Sequence, residues 1–137
     1  MSDPKDNSQH PGADGLGGVF FRCDDPDATK QWYAKHLGLD VDQWGSVFRW
    51  RKEDNPEEKG WTQWSPFKGD TDYFGDRSQQ FMVNYRVRDL AKVIEQMREA
   101  GVEIVGDIIE ESYGKFAHVI DHDGRRIELW EPGEEPS

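Results

Sequence analysis

The chain carries VFFRCDD at residues 19–25 and an imperfect copy, VNYRVRD, at residues 83–89, an offset of 83 − 19 = 64. Each copy is followed by a polar run with helical spacing that ends at a glycine, Gly38 in the first half and Gly101 in the second. A glycine after the last turn is a frequent helix end. Because a half of about 60 residues is marginally stable alone, we infer one supersecondary unit used twice around a shared core.

Each unit reads as β-α-β-β-β, which predicts an α+β fold built from two tandem modules. Asp25 is predicted to cap the first helix, Pro26 to be its first residue, and Trp32, Tyr33 and Leu37 to form its core-facing stripe. In the second helix the predicted apolar stripe is Leu90, Val93, Ile94 and Met97. The predicted strands cover residues 18–23, 39–44, 47–52 and 60–67 in module one, and 81–87, 102–109, 115–120 and 125–131 in module two.

Composition restricts the classes of partner. With 17 Lys and Arg against 28 Asp and Glu, the net charge is −11, which opposes binding to nucleic acid or to an anionic membrane. Cys23 is the single cysteine and cannot form an intrachain disulfide, so a cytoplasmic location is expected. No apolar run reaches the roughly 20 residues that a membrane span needs.

The predicted boundaries give one domain with two tails. Residues 1–15 are expected to be a disordered N-terminal segment and residues 133–137 an acidic tail. Between them, module one covers 16–67, a polar connection covers 68–79, and module two covers 80–132. The connection carries two aromatic residues, Tyr73 and Phe74, and whether it closes over a cleft as a lid is left open.

Strand alternation selects a candidate ligand-binding site on the face opposite the helices. Pairing the last two strands with residue numbers that sum to 246 puts His118 opposite Glu128. Aromatic walls with a few polar groups are typical of a pocket. The alternative is purely structural: the arginines pair with acidic neighbours, and His118 with Glu128 forms a cross-strand pair. The candidate residues are Phe20, Arg22, Trp64, Asn84, Arg86, His118, Glu128 and Trp130.

A family resemblance adds to this interpretation. The duplicated β-α-β-β-β pattern, the helix ending His36-Leu37-Gly38-Leu39 and above all the closing IDHDGRRIELWEP at residues 120–132 resemble the glyoxalase/bleomycin-resistance/dioxygenase superfamily, whose fold is called vicinal oxygen chelate (VOC). The resemblance covers residues 16–132. It implies paired modules that form a curved mixed sheet around a cleft, with helices on the outer face, and often a second subunit that completes the cleft.

The resemblance also implies where a metal would bind. Metal-dependent members place four ligands on the cleft side, and these positions fall on Gly18, Thr62, Met82 and Glu128 in this chain. Glycine offers no side chain, threonine is a poor ligand, and a thioether suits soft ions. Because Zn²⁺ needs three or four protein ligands, we expect no metal and no cofactor.

Three functional hypotheses follow. The leading one is a metal-free protein that binds a small molecule between the modules, acting as a homodimer. The second is a lyase, isomerase or dioxygenase with a relocated centre, in which His118 and Glu128 form an acid/base pair or, joined by His36 or another carboxylate, hold a metal. The third is an interaction module that uses the exposed face to contact another protein.

Overall fold

The computed structural model describes residues 10–133 of the chain. Within that range one seven-stranded mixed sheet is flanked by two helices, which confirms the α+β fold. The elements are β1 (Ala13–Cys23), α1 (Pro26–Leu37), β2 (Ser46–Arg51), β3 (Lys59–Lys68), β4 (Phe81–Val87), α2 (Leu90–Glu99), β5 (Ile104–Glu111), β6 (Gly114–Ile120) and β7 (Arg126–Pro132).

The strand order β2-β3-β1-β4-β7-β6-β5 confirms the duplication. β1 and β4, the strands that carry the two copies of the repeat, pair antiparallel at the centre of the sheet. Each then pairs in parallel with the last strand of its own module, β1 with β3 and β4 with β7. The two modules therefore follow the same path outward from the centre.

Module one lacks one of its predicted strands, and the prediction for residues 39–44 is wrong. A single bridge joins Asp42 to Gly45 there. The Asp42 carboxylate accepts hydrogen bonds from the backbone N–H groups of Trp44 (2.8 Å) and Gly45 (3.1 Å). An aspartate that bonds the backbone two and three residues ahead favours a turn over a strand.

The boundaries of the tails also change. β1 begins at Ala13, so residues 13–15 belong to the sheet and not to a disordered segment. Residues 1–9 and 134–137, which make up most of the two predicted tails, lie outside the described residues.

The predicted helix ends are confirmed. The Asp25 side chain accepts hydrogen bonds from the N–H groups of Asp27 and Ala28, and Pro26 is the first helical residue. Gly38 (φ 71°) and Gly101 (φ 83°) adopt the left-handed conformation after α1 and α2. The two copies of the repeat therefore end their helices with the same device.

The two helices are buried to different extents. Leu90, Val93 and Ile94 of α2 are buried in the main core, as predicted, and Met97 packs against it. α1 has no buried residue, and the core-facing role predicted for Trp32 and Leu37 is wrong, since they are 55% and 64% exposed. The Trp32 ring packs against two side chains of its own helix, Tyr33 and His36.

Candidate functional site

One row of neighbouring residues crosses the sheet and positions the site. The strand registers pair Gln63 with Gly18, Gly18 with Asn84, Asn84 with Glu128, and Glu128 with His118. The predicted pairing of His118 with Glu128 is thereby confirmed. Because paired residues share a face of the sheet, one face carries an amide, a histidine and a carboxylate side by side.

The Glu128 carboxylate is the centre of a hydrogen-bond network. Glu128 is 2% exposed. Its Oε1 accepts from Asn84 Nδ2 at 2.6 Å, and its Oε2 contacts His118 Nε2 at 2.8 Å and accepts from the hydroxyl of Tyr73. Burying a carboxylate is costly unless several hydrogen bonds compensate it. Here three side chains of the protein itself supply them.

Tyr73 comes from the connection at residues 68–79, which lies over this network. Burial, and then the negative charge of Glu128, raise the pKa of the Tyr73 hydroxyl far above its ordinary value. The hydroxyl therefore stays protonated and serves as a donor. The ring stacks on Phe67 (5.5 Å between centroids) and meets the His118 ring edge-on (4.9 Å).

The connection is fastened by Arg22. Its guanidinium donates to the backbone carbonyls of Gly69, Thr71, Asp76 and Gln79 at 2.8–3.2 Å. Phe74 is fully buried against Phe20, Met82 and Phe67, with the Arg22 guanidinium 5.0 Å from its ring. The donors of Arg22 thus hold the covering segment, and its side chain lies apart from the Glu128 network.

Two cavities adjoin Glu128. The aromatic pocket, of about 200 Å³, is lined among others by Gly17, Phe20, Trp61, Asn84, Glu128 and Trp130. The histidine pocket, of about 400 Å³, is lined among others by Tyr73, Phe116, His118, Arg126 and Glu128. Phe116 and Glu128 belong to both, so they form the partition between the two spaces.

Arg86 supports the aromatic pocket from behind. It is 6% exposed, and its Cζ lies 5.1 Å from the ring of Trp50, 5.8 Å from Trp61 and 5.9 Å from Trp130. Its Nε and Nη1 have no hydrogen-bond partner within residues 10–133. A guanidinium among indole rings gains cation–π energy of about 0.5–2 kcal/mol per contact, and this contact orients the two tryptophans of the pocket.

The predicted site residues therefore fall into three groups. Asn84, His118 and Glu128 form the network, Phe20 and Trp130 line the aromatic pocket, and Arg86 packs behind it. Arg22 fastens the connection. The placement of Trp64 on the cleft face is wrong: β3 pairs it with Val19, and its ring packs against Phe21 (5.3 Å) and against Tyr33 of α1 (4.8 Å).

The register also corrects two positions implied for metal ligands. The neighbours of Gly18 and Glu128 in the row are Gln63 and Asn84, in place of Thr62 and Met82. The Thr62 hydroxyl bonds the carbonyl of Leu16 and the indole N–H of Trp50, while Met82 is 1% exposed in an apolar cluster.

The residues present do not fit a zinc or nickel ion. Glu128 is the one acidic group in the row. Within residues 10–133 no three His, Cys, Asp or Glu side chains converge as metal ligands. A catalytic metal of this kind needs about three protein ligands.

Sequence reasoning missed two residues of the site. Tyr73 was noted as an aromatic in a polar connection, but nothing in the sequence shows that its hydroxyl reaches Glu128. Trp61 contacts Trp130 edge-on at 5.2 Å and lines the aromatic pocket. The alternation predicted for this strand places Trp64 on the cleft side, whereas the strand register decides which face each side chain takes.

The sequence model of the Glyoxalase/Bleomycin resistance protein/Dioxygenase superfamily matches residues 15–129. The chain belongs to this superfamily, as its closing motif predicted. No curated protein sequence matches it. No helix within residues 10–133 is long and apolar enough to cross a membrane.

Solved structures of the same fold include methylmalonyl-CoA epimerases. A variant of the Streptomyces coelicolor enzyme, in complex with 2-nitronate-propionyl-CoA, is 14% identical with a TM-score of 0.69, over 89% of this chain and 99% of that one. The Mycobacterium tuberculosis enzyme is 17% identical with a TM-score of 0.62, over 96% and 97%. A superfamily member from Vibrio splendidus 12B01 is 15% identical with a TM-score of 0.55, over 85% and 98%. At these identities the likeness shows the fold alone.

Proposed function

We propose that this protein binds a small molecule in the aromatic pocket between its two modules, without a metal. The proposal rests on the hydrogen bonds that the Glu128 side chain accepts. Its buried carboxylate, at the position where the family places a metal ligand, takes its hydrogen bonds from Asn84, His118 and Tyr73. A carboxylate held in this way is part of the wall of a site.

The pocket beside it has the character of a ligand site. Its walls are mostly aromatic, and its polar groups are few and come from neighbouring strands of the sheet. Small-molecule sites typically combine an apolar lining with a small number of placed polar groups. Arg86 packs behind the tryptophans of the pocket, and the connection that Arg22 holds lies over Glu128.

A second candidate function is acid/base catalysis in the histidine pocket. His118 Nε2 lies 2.8 Å from Glu128, and His118 Nδ1 lies 3.4 Å from Nη1 of Arg126. Glu128 holds Nε2, so a ligand would exchange a proton with Nδ1, where it would take the place of Arg126. The structures of similar fold include enzymes, the methylmalonyl-CoA epimerases, so an enzymatic activity is the alternative to binding alone.

We also propose that the protein forms a homodimer and is located in the cytoplasm. Trp44, Phe48 and Phe81 are 70%, 50% and 58% exposed, and surface aromatics are enriched where proteins associate. Sedimentation equilibrium is expected to give a dimer mass. A monomer mass at all accessible concentrations would remove the second subunit from the proposal.

A thermal-shift screen tests the binding function. Protein treated with a chelator is screened against a library of small aromatic compounds, and hits are expected to raise the melting temperature equally with and without added Zn²⁺, Ni²⁺ or Mn²⁺. The hits should be lost in Trp61→Leu and kept in Trp32→Leu, which removes an exposed tryptophan of α1. The proposal fails if stabilisation requires the metal, or if no compound stabilises the wild type.

A further inference from the structure

We infer that the aromatic pocket takes a single aromatic ring that carries N–H donors, such as an aryl amide or an aryl amidine. This inference rests on the proposed binding function and adds the chemical class of the ligand, which follows from the size of the pocket and from the hydrogen-bonding groups that its floor leaves unused.

The size of the pocket matches one ring. Its volume of about 200 Å³ is close to that of an apolar cavity of about 150 Å³ that binds one benzene molecule. Trp61 and Trp130 meet edge-on at 5.2 Å, and Phe116 stacks on Trp130 at 5.9 Å. A planar group can add to such a set in the offset or edge-on arrangements that aromatic rings prefer.

The floor of the pocket offers acceptors. Asn84 is 2% exposed, and its Oδ1 has no hydrogen-bond partner within residues 10–133. A carboxylate oxygen can accept two hydrogen bonds. Oε2 of Glu128 contacts both Tyr73 and His118, whereas Oε1 accepts from Asn84, which leaves room for one more donor.

Two of the donors beside the pocket are already used. Asn84 Nδ2 donates to Glu128, and the indole N–H of Trp130 donates to the carbonyl of Tyr113 at 3.1 Å. A ligand that only accepts hydrogen bonds would leave the two free acceptor positions unsatisfied, and a buried unsatisfied acceptor is costly. A ligand with N–H groups complements them.

Gly17 packs closely against the side chain of Asn84. A Cβ built on Gly17 would meet Asn84 Oδ1, and it would come within 2.7 Å of the Trp130 ring and 3.1 Å of Cγ of Arg86. A glycine at this position therefore lets β1 pack closely against the amide of Asn84, and Gly17 itself lines the pocket.

Four one-ring probes test the inference on the wild-type protein by isothermal titration calorimetry. Benzamide and acetophenone have nearly the same shape and share a carbonyl, but only benzamide has N–H donors. We expect benzamide to bind at least about tenfold more tightly than acetophenone, since one hydrogen bond to an otherwise unsatisfied buried group has that magnitude. Benzamidine is expected to bind and benzoate is not.

Variants assign the binding to the pocket. Trp61→Leu should abolish binding of benzamide, and Trp32→Leu should preserve it. Asn84→Leu should lower the benzamide-to-acetophenone ratio, since one of the two acceptors is lost. Because Asn84 also donates to Glu128, the fold of N84L is checked by circular dichroism. The wild-type ratio decides the inference by itself if N84L is unfolded.

The inference is overturned if acetophenone or benzoate binds as tightly as benzamide. If the probes still depend on Trp61 in that case, the ligand class is wrong and the binding function stands. If none of the four probes binds, the inference is also overturned, and the thermal-shift screen then decides separately whether the pocket binds any small molecule.

Discussion

Replacing Arg22 by methionine is expected to destabilise the free protein strongly. The change removes four hydrogen bonds of 2.8–3.2 Å from a buried guanidinium to the carbonyls of residues 69, 71, 76 and 79. Hydrogen bonds to a charged group are worth about 1.5–3 kcal/mol each. The loss in stability is smaller than the sum of the four, because water can hydrate part of the freed carbonyl groups in the variant. We expect a loss of about 3–5 kcal/mol, at the upper end of single-residue effects.

Urea denaturation followed by tryptophan fluorescence measures this loss. Arg125→Met is the matched control, because the Arg125 side chain is 55% exposed and its ion pairs with Asp121 and Asp123 lie at the surface. Exposed pairs contribute about 0–1 kcal/mol. Equal stability losses in R22M and R125M would refute the structural role of Arg22. If R22M kept its stability and lost only ligand binding, Arg22 would be a binding residue, as first predicted from the sequence.

Three further outcomes test individual features. Asp25→Ala should cost about 1 kcal/mol in urea melts, since it removes the acceptor for the N–H groups of Asp27 and Ala28, and a loss below about 0.3 kcal/mol would contradict the cap. Gly38→Ala should cost about 1 kcal/mol, because a φ of 71° is strained for alanine. Nothing lies within 4 Å of the added Cβ, so no steric clash contributes. A variant as stable as the wild type would refute this. In the folded state the pKa of Tyr73 lies above its ordinary value near 10, so the hydroxyl's contribution to the free energy of unfolding is complete below pH 10 and is lost as the pH rises further. The wild type should therefore lose more stability than Tyr73→Phe between pH 8 and pH 11. Equal losses in the two proteins would contradict the buried hydroxyl.

The sequence predicted those parts of the fold that depend on local chemistry. Asp25 and Pro26 start α1 because a side-chain acceptor and a missing N–H suit the first turn, and the glycines at 38 and 101 end the two helices. The pairing of His118 with Glu128 followed from a short hairpin, whose turn fixes the register. These features depend on contacts between residues that are close in sequence.

The features that it missed depend on distant contacts. Strand alternation predicts Trp64 on the cleft face, but the pairing of β3 with β1, which joins Trp64 to Val19, places it under α1. Trp32 and Leu37 follow a helical stripe and still remain exposed, since the spacing does not reveal how much surface the neighbouring sheet offers. The contact between Tyr73 and Glu128 joins residues 55 apart, across an irregular connection.

Titration of the metal-free protein with Zn²⁺, Ni²⁺ and Mn²⁺ tests the assignment of Glu128 most directly. Isothermal titration calorimetry compares the wild type with Glu128→Gln, which keeps the shape of the side chain and removes its charge. Because the Glu128 carboxylate is held by Asn84, His118 and Tyr73, the two proteins should show the same weak, substoichiometric heats. Stoichiometric binding of one ion by the wild type, lost in E128Q, would contradict a metal-free site.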